Sequence, residues 1–271
     1  MNMEAAPALK PELARATRDG SVLRITMDAP PANALSRAMI ATLRRHLAEA
    51  AETAAVRVIV IGAEGKVFSA GHDLKEITAH RKDADGGRAY YSELMDECGK
   101  LMQDIVHHPK PVIAAIAGVA SAAGCQIVAS CDLAIATSEA TFATPGVNIG
   151  LFCSTPMVAL SRNISHKHAM EMLLTGEMIE ATTAREFGLI NRVVPPEYLN
   201  QIIDKYAQTI ASKSALTVKI GKEAFYAQAE MGLSDAYDYA GRVMVENMLA
   251  RDAAEGIGAF VEKRKPDWRD E

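Results

Sequence analysis

Residues 110–150 read KPVIAAIAGVASAAGCQIVASCDLAIATSEATFATPGVNIG, and how this stretch folds decides the rest of the chain. Between Pro111 and Cys131 it carries no charged residue. Length alone suits a membrane span, because about 20 apolar residues cross a bilayer. Composition opposes that reading. The run is mostly Ala, Gly and Ser with Gln126 inside it, and neither an aromatic belt nor a Lys/Arg cluster flanks it. The alternative, which the composition favours, is a strand, tight turn and short helix buried in a soluble domain. Val112 to Ile116 forms the strand, Gly118 breaks its period, and from Ala122 small residues lead into a helix ending near Cys131. Such a helix start leaves backbone N–H groups free around Ala123 and Gly124, ready for an anion or a developing oxyanion. Small residues there also let a helix pack closely on a sheet, and this stretch alone leaves both uses open.

The bounds on the rest are ordinary. A chain of 271 residues with 49% hydrophobic and 23% charged residues suits one large domain, or one domain with an appendage. The net charge of -5 argues against a nucleic-acid surface. Four cysteines (Cys98, Cys125, Cys131, Cys153) show no CxxC spacing and read as reduced thiols. Residues 1–20 have no apolar core and mix acidic with basic side chains, so neither a secretory nor a transit signal is expected, and the expected location is cytoplasmic.

Upstream of the organising stretch, Ser21 to Met27 alternates as a strand. DAPPANALS is loop chemistry, and Ser36 caps a helix with Met39, Ile40, Leu43 and Leu47 on one face. Val56 to Ile61 is a buried β-branched strand, so the order predicts a parallel sheet covered by helices. GAEGKVFSAGHDLKEI follows, with Asp73 placed to cap a helix from Leu74; it fits neither a Walker A loop nor a GxGxxG fingerprint. This loop and the Ala123 turn both follow strands of one sheet, whose carboxyl ends are where ligands sit. Residues 79–89 are polar, readable as a lid or as a solvated linker, and a helix follows from about Tyr90 to His107. Downstream, helices are expected over Thr155–Arg162, His168–Leu174 and Thr182–Phe187, then an extended LINRVV. From Glu197 the pattern is helical: Tyr198–Ala211, Ala215–Met231, Leu233–Arg251 and Ala253–Arg264.

Several of these pieces match one pattern. VFSAGHDLKEI resembles F-[SA]-[AS]-G-x-D-[LI]-K, and KPVIAAIAGVASAAGCQIVASCD resembles K-P-x-I-A-A-x-x-G-x-A-x-G-G-G-x-E-[LI]-x-x-x-C-D, two motifs of the crotonase (enoyl-CoA hydratase/isomerase) superfamily. ATPGVNIGL, LLTGEMIEATTAREFGLINRVVP and FVEKRKPDW also fit, and the likeness runs from about Val22 to Trp268. The resemblance implies an α/β fold, a ββα spiral over residues 1–196. It also implies a helical region over 197–271 that closes the site and builds trimers or dimers of trimers. It implies an acyl-CoA thioester as ligand, no cofactor beyond that coenzyme A, no metal, no nucleic acid and no membrane. The family's oxyanion hole, two backbone N–H groups that stabilise a thioester enolate, maps to His72 and Ala123. Ala32, Ala34, Ala70, Asp73, Leu74 and Gly124 line the same ligand, and Lys75 and Lys263 map to cations facing the nucleotide end of CoA.

Two departures limit the inference. Hydratases of this family add water with two glutamates, which fall here on Gln126 and Gly146. Gln holds water but takes no proton near neutral pH, and Gly does neither; losing one general base costs ~10²–10⁴ in rate. Hydration by that route is therefore not expected, and restoring both acids is expected to raise it. Two function classes remain, an acyl-CoA enzyme with altered chemistry and a pseudoenzyme that binds acyl-CoA without turnover. The His72 side chain has two readings: pointing inward, where it titrates in a useful range, or turned to solvent. Asn148, Cys125, Cys153 and Ser154 lie near the missing acids in sequence, and Asp96 and Glu97 on the preceding helix are further carboxylates.

Overall fold

The computed structural model describes residues 12–271. Residues 1–11, on which part of the expectation about targeting signals rests, lie outside the described residues. Ala14–Asp19 (β1) pairs antiparallel with Val22–Met27 (β2). The alternating β2 was legible, whereas β1 was not: all but its first residue are exposed, so no apolar period marks it. Ser36 caps Arg37–Glu52 (α1) as expected, its hydroxyl accepting from the Met39 amide at 3.1 Å, and the helix buries Met39, Ile40, Leu43 and Leu47.

A repeating unit then begins. Val58–Ala63 (β3) runs parallel to β2, and the three-residue Val67–Ser69 (β4) turns away from it before Leu74–His80 (α2) and Arg88–Val106 (α3). The organising stretch supplies the next turn as Val112–Ile116 (β5), Val119–Ser121 (β6) and Ala123–Ser130 (α4). A third turn follows: Leu133–Thr137 (β7), Thr141–Ala143 (β8), a 3-10 turn at Pro145–Ile149, Ser154–Asn163 (α5) and His166–Thr175 (α6). Ile179–Glu180 (β9), Ala181–Phe187 (α7) and Arg192–Val194 (β10) complete it. The pairs β3–β4, β5–β6 and β7–β8 each give one strand to each of two sheets, ordered β1-β2-β3-β5-β7-β10 and β4-β6-β8-β9. This is the expected ββα spiral. It also decides the opening question, since no helix among the described residues is long and apolar enough to cross a membrane.

The larger core gathers buried residues of α1, α3 and α4 with those of strands from both sheets. On the other face of the six-stranded sheet, Leu199–Ala211 (α8) buries Leu199, Ile203 and Ala207 against Val22, Val58, Val60, Ile113 and Ile135. Although composition turns helical near residue 197, α8 thus shares a core with the spiral. Beyond it lie Ala215–Ala229 (α9), Leu233–Leu249 (α10) and Arg251–Glu262 (α11). Neither α9 nor α10 buries a residue fully. A polar pin holds α9 down: buried Lys222 donates to Asp132 Oδ2 at 2.7 Å and to the Ile105 and Lys110 carbonyls, while the Tyr226 hydroxyl donates to Asp132 Oδ1 at 2.9 Å.

Residues 79–89 end α2, pass through hydrogen-bonded turns over 81–87 and begin α3. Asp85 accepts from the Gly87 and Ala89 amides at 2.9 and 2.8 Å, and His80 stacks on Tyr90 with ring centroids 3.7 Å apart. Of the polar residues in this segment, Asp85 thereby ties down the start of α3.

Candidate active site

Three short parallel strands, β4, β6 and β8, end side by side, and each ending carries part of the site. The turn after β4 passes through Gly71 at φ +87, a conformation that L side chains rarely adopt. A Cβ on Gly71 would lie 2.8 Å from Ala122 Cβ and 3.0 Å from the Ala123 nitrogen. The turn at His72 and the start of α4 are therefore in direct contact. Ala122, at φ 49 and ψ -117, holds a strained backbone and donates its amide to the Ala143 carbonyl at 2.9 Å, joining the ending of β8 to the other two. Among the described residues no acceptor takes the His72 or the Ala123 amide.

The loop carrying Ala32 and Ala34 is laced to the first turn. Ala70 donates to the Ala32 carbonyl at 3.0 Å and Leu35 to the Gly71 carbonyl at 2.8 Å, and Leu35 and His72 form an isolated bridge. Asn33, which sequence reading passed over, holds that loop. At φ 45 its side-chain oxygen accepts from Ala29, and its amide donates to the Glu64 and Val67 carbonyls at 3.1 and 2.7 Å. Asn tolerates the left-handed region better than most residues, and that was the available signal.

Asp73 caps α2 as expected, Oδ1 accepting from the Lys75 amide at 2.8 Å, with Leu74 and Lys75 exposed beside it. Gly124 is required by space, since a Cβ there would lie 2.3 Å from the Ser69 carbonyl oxygen. Lys263 is not gathered with these residues. It ends α11, which packs on α9 and α10, and has no hydrogen bond or ion pair to either turn.

Gln126 lies one turn into α4, 3% exposed, with the Cys98 thiol 4.0 Å from its side-chain oxygen. Gly146 is buried where the second acid was sought, and the structure leaves it no room for a side chain. A Cβ would fall 2.6 Å from the Leu151 carbonyl oxygen and 2.9 Å from Cys153 Sγ. Cys153 and the returning backbone thus stand where a side chain at position 146 would begin, which argues against the expectation that two restored glutamates raise hydration. Burial pushes the Cys98 and Cys125 thiols up to about 12 and raises Cys153 too, so none is a thiolate at neutral pH. Asp96 and Glu97 are taken by Lys100 and Arg37. Asn148 donates to the Gly176 carbonyl at 3.3 Å and Ser154 to the Phe152 carbonyl at 3.3 Å.

The His72 side chain does not turn to solvent. Among the described residues its Nε2 is buried with no hydrogen-bond partner, and burial pushes its pKa from 6.5 down to about 4, so the ring is neutral at pH 7. Thr144 is the residue that sequence reading missed: it is wholly buried and its hydroxyl has no partner among the described residues. A threonine at a strand end gives no sequence signal for that.

Known proteins resemble this chain over nearly its whole length. The rat protein enoyl-CoA hydratase domain-containing protein 3, mitochondrial, is 46% identical over 265 residues, 97% of this chain and 87% of that protein. Its human namesake is 49% identical over 239 residues, 88% of this chain and 77% of that one. Both names carry a mitochondrial location, which overturns the cytoplasmic expectation read from residues 1–20. An enoyl-CoA hydratase crystal structure from Mycobacterium smegmatis superposes at a TM-score of 0.90 and 47% identity, covering 94% of this chain and 98% of that one. With residues 17–271 matched by the model of the enoyl-CoA hydratase/isomerase family, this chain belongs to that family.

Proposed function

We propose that the site binds an acyl-CoA thioester with its carbonyl oxygen between the His72 and Ala123 amides. The observation that carries this reading is the contact between the two turns: the Gly71 position lies against the Ala123 nitrogen, and neither amide has an acceptor among the described residues. Two preorganised donors lower the barrier to an enolate by about 3–4 kcal/mol each. Lys75 and, through another part of the assembly, Lys263 meet the nucleotide phosphates, with no cofactor beyond the substrate's own coenzyme A. Water addition by paired carboxylates is not the reaction, since Gln126 and the closed space at Gly146 supply neither acid nor base. The chemistry left to the site is that of a stabilised enolate, as in isomerisation or decarboxylation. The division of labour is an acyl-CoA core in residues 1–196 and a helical region in 197–271. Exposed apolar side chains on α9, α10 and α11, among them Phe225, Tyr237, Met244 and Phe260, support a homotrimer or a dimer of trimers built on that region.

Incubation with enoyl-, malonyl- and saturated acyl-CoA species, followed by mass analysis and a binding measurement, tests the reading. A mass change that Gly71→Ala abolishes is expected. Binding without any mass change would favour the pseudoenzyme, for which the filled space at Gly146 is the supporting observation; no binding would remove both.

A further inference from the structure

The turn after β4 has to pass through glycine, because a Cβ at position 71 would lie 2.8 Å from Ala122 Cβ. Glycine is also the residue whose own backbone preferences restrict it least, so nothing intrinsic to Gly71 fixes the direction of the amide that follows. The peptide bond from Gly71 to His72 is planar and trans, so its carbonyl and the His72 N–H point opposite ways. Whatever holds the Gly71 backbone therefore aims the His72 amide. Two groups hold it. The Leu35 amide donates to the Gly71 carbonyl at 2.8 Å, and the Gly71 amide donates to the Ser69 hydroxyl oxygen at 3.2 Å. Ser69 is fully buried, and its hydroxyl donates in turn to the Asn33 carbonyl at 2.8 Å. Asn33 is itself fixed by its side-chain hydrogen bonds to Ala29, Glu64 and Val67. The same serine lies against the second turn, since a Cβ on Gly124 would fall 2.8 Å from Ser69 Cβ. At that turn the helix does the holding: the Ala122 carbonyl accepts from the Gln126 amide at 3.1 Å, which fixes the peptide plane carrying the Ala123 N–H.

We propose that Ser69 is a positioning residue for the pair of amides: its hydroxyl, bridging the Asn33 carbonyl and the Gly71 amide, aims the His72 N–H at the thioester oxygen. This rests on the acyl-CoA reading above and deepens it. A donor already in place stabilises developing charge without reorganising, so an amide carried on glycine gains most from a clamp. A hydroxyl suits the place because it donates and accepts at once, and alanine would strip a partner from the Asn33 carbonyl and from the Gly71 amide together. The motif that VFSAGHDLKEI resembles admits Ser or Ala at position 69. The hydroxyl therefore sharpens the amide pair, which exists without it, and the expected effect is partial.

The test compares dissociation constants of butyryl-CoA and S-butyl-CoA, a thioether with the same carbon chain and no carbonyl oxygen. The unmodified protein is expected to bind the thioester about tenfold more tightly, as two hydrogen bonds to the carbonyl give. Ser69→Ala should bring that ratio down to about threefold and leave thioether binding unchanged, because only the aim of one donor is lost. Thr137→Val removes another buried hydroxyl, one that donates to the Ala117 carbonyl at 3.1 Å, and should keep the full ratio. If Ser69→Ala does not fold, Ser69→Cys, nearly the same shape with a weaker donor, is read in its place and should give an intermediate ratio. An unchanged ratio in the Ser69 variant overturns the proposal. So does equal weakening of both ligands, which marks a residue that only holds the fold. Equal binding of thioester and thioether by the unmodified protein, or no binding of either, removes the two-amide reading and this inference with it, and that outcome is seen before any variant is made.

Discussion

Putting the two family glutamates back into this site is the most direct way to ask whether its chemistry was lost by two substitutions or by a change of shape. The structure predicts the second. At Gly146 the first side-chain atom would already stand 2.6 Å from the Leu151 carbonyl oxygen, a backbone atom that no rotamer change can move. Relief requires shifting residues 146–151 and stretching the 2.9 Å hydrogen bond from the Leu151 amide to the Gly146 carbonyl. Overpacking of this kind costs ~1–3 kcal/mol, and the weakened bond adds ~1 kcal/mol. A loss of about 2–4 kcal/mol lowers the melting temperature by roughly 4–15 °C in a chain of this size. Gly146→Ala isolates the effect, because it adds the colliding atom without the carboxylate. It should fall by nearly as much as Gly146→Glu in differential scanning fluorimetry. Gln126→Glu combined with Gly146→Glu should then give no gain in crotonyl-CoA hydration, followed as loss of absorbance of the conjugated thioester. An unchanged melting temperature in Gly146→Ala, together with a clear rise in hydration in the double variant, would refute the steric reasoning.

Three further outcomes follow from particular contacts. Gly71→Ala places a Cβ 3.0 Å from the Ala123 nitrogen on a backbone at φ +87, so it should lose about 2–4 kcal/mol of stability and weaken acyl-CoA binding more than tenfold by calorimetry. Stability should also depend on pH through His72. Above pH 6.5 the ring is neutral folded and unfolded; between 6.5 and about 4 only the unfolded chain takes the proton. Up to about 3 kcal/mol is therefore lost as pH falls through that window, and urea melts of His72→Gln should lack that component. Lys222→Met leaves Asp132 without its buried cation and should cost about 3–5 kcal/mol, with Asp132→Asn in the same chain recovering part of it in denaturant titrations.

What the sequence by itself determined was whatever depends on neighbours along the chain. The alternation of Val22–Met27 and the apolar face of Arg37–Glu52 were legible because burial imposes a period on local sequence. So was the small-residue run at Ala122–Gly124, and with it the pair of turns at His72 and Ala123. The six-residue Ala14–Asp19 strand and the three-residue Val67–Ser69, Val119–Ser121 and Thr141–Ala143 strands were not legible, since one is exposed and the others are too short to show any period. Tertiary structure alone decided that Gly146 faces the Leu151 carbonyl and Cys153 instead of open space, and that Nε2 of His72 and the hydroxyl of Thr144 are buried without partners among the described residues. Those facts depend on which strand ends lie side by side and how the chain returns past them. Distances between residues remote along the chain fix them, and no local pattern encodes such distances.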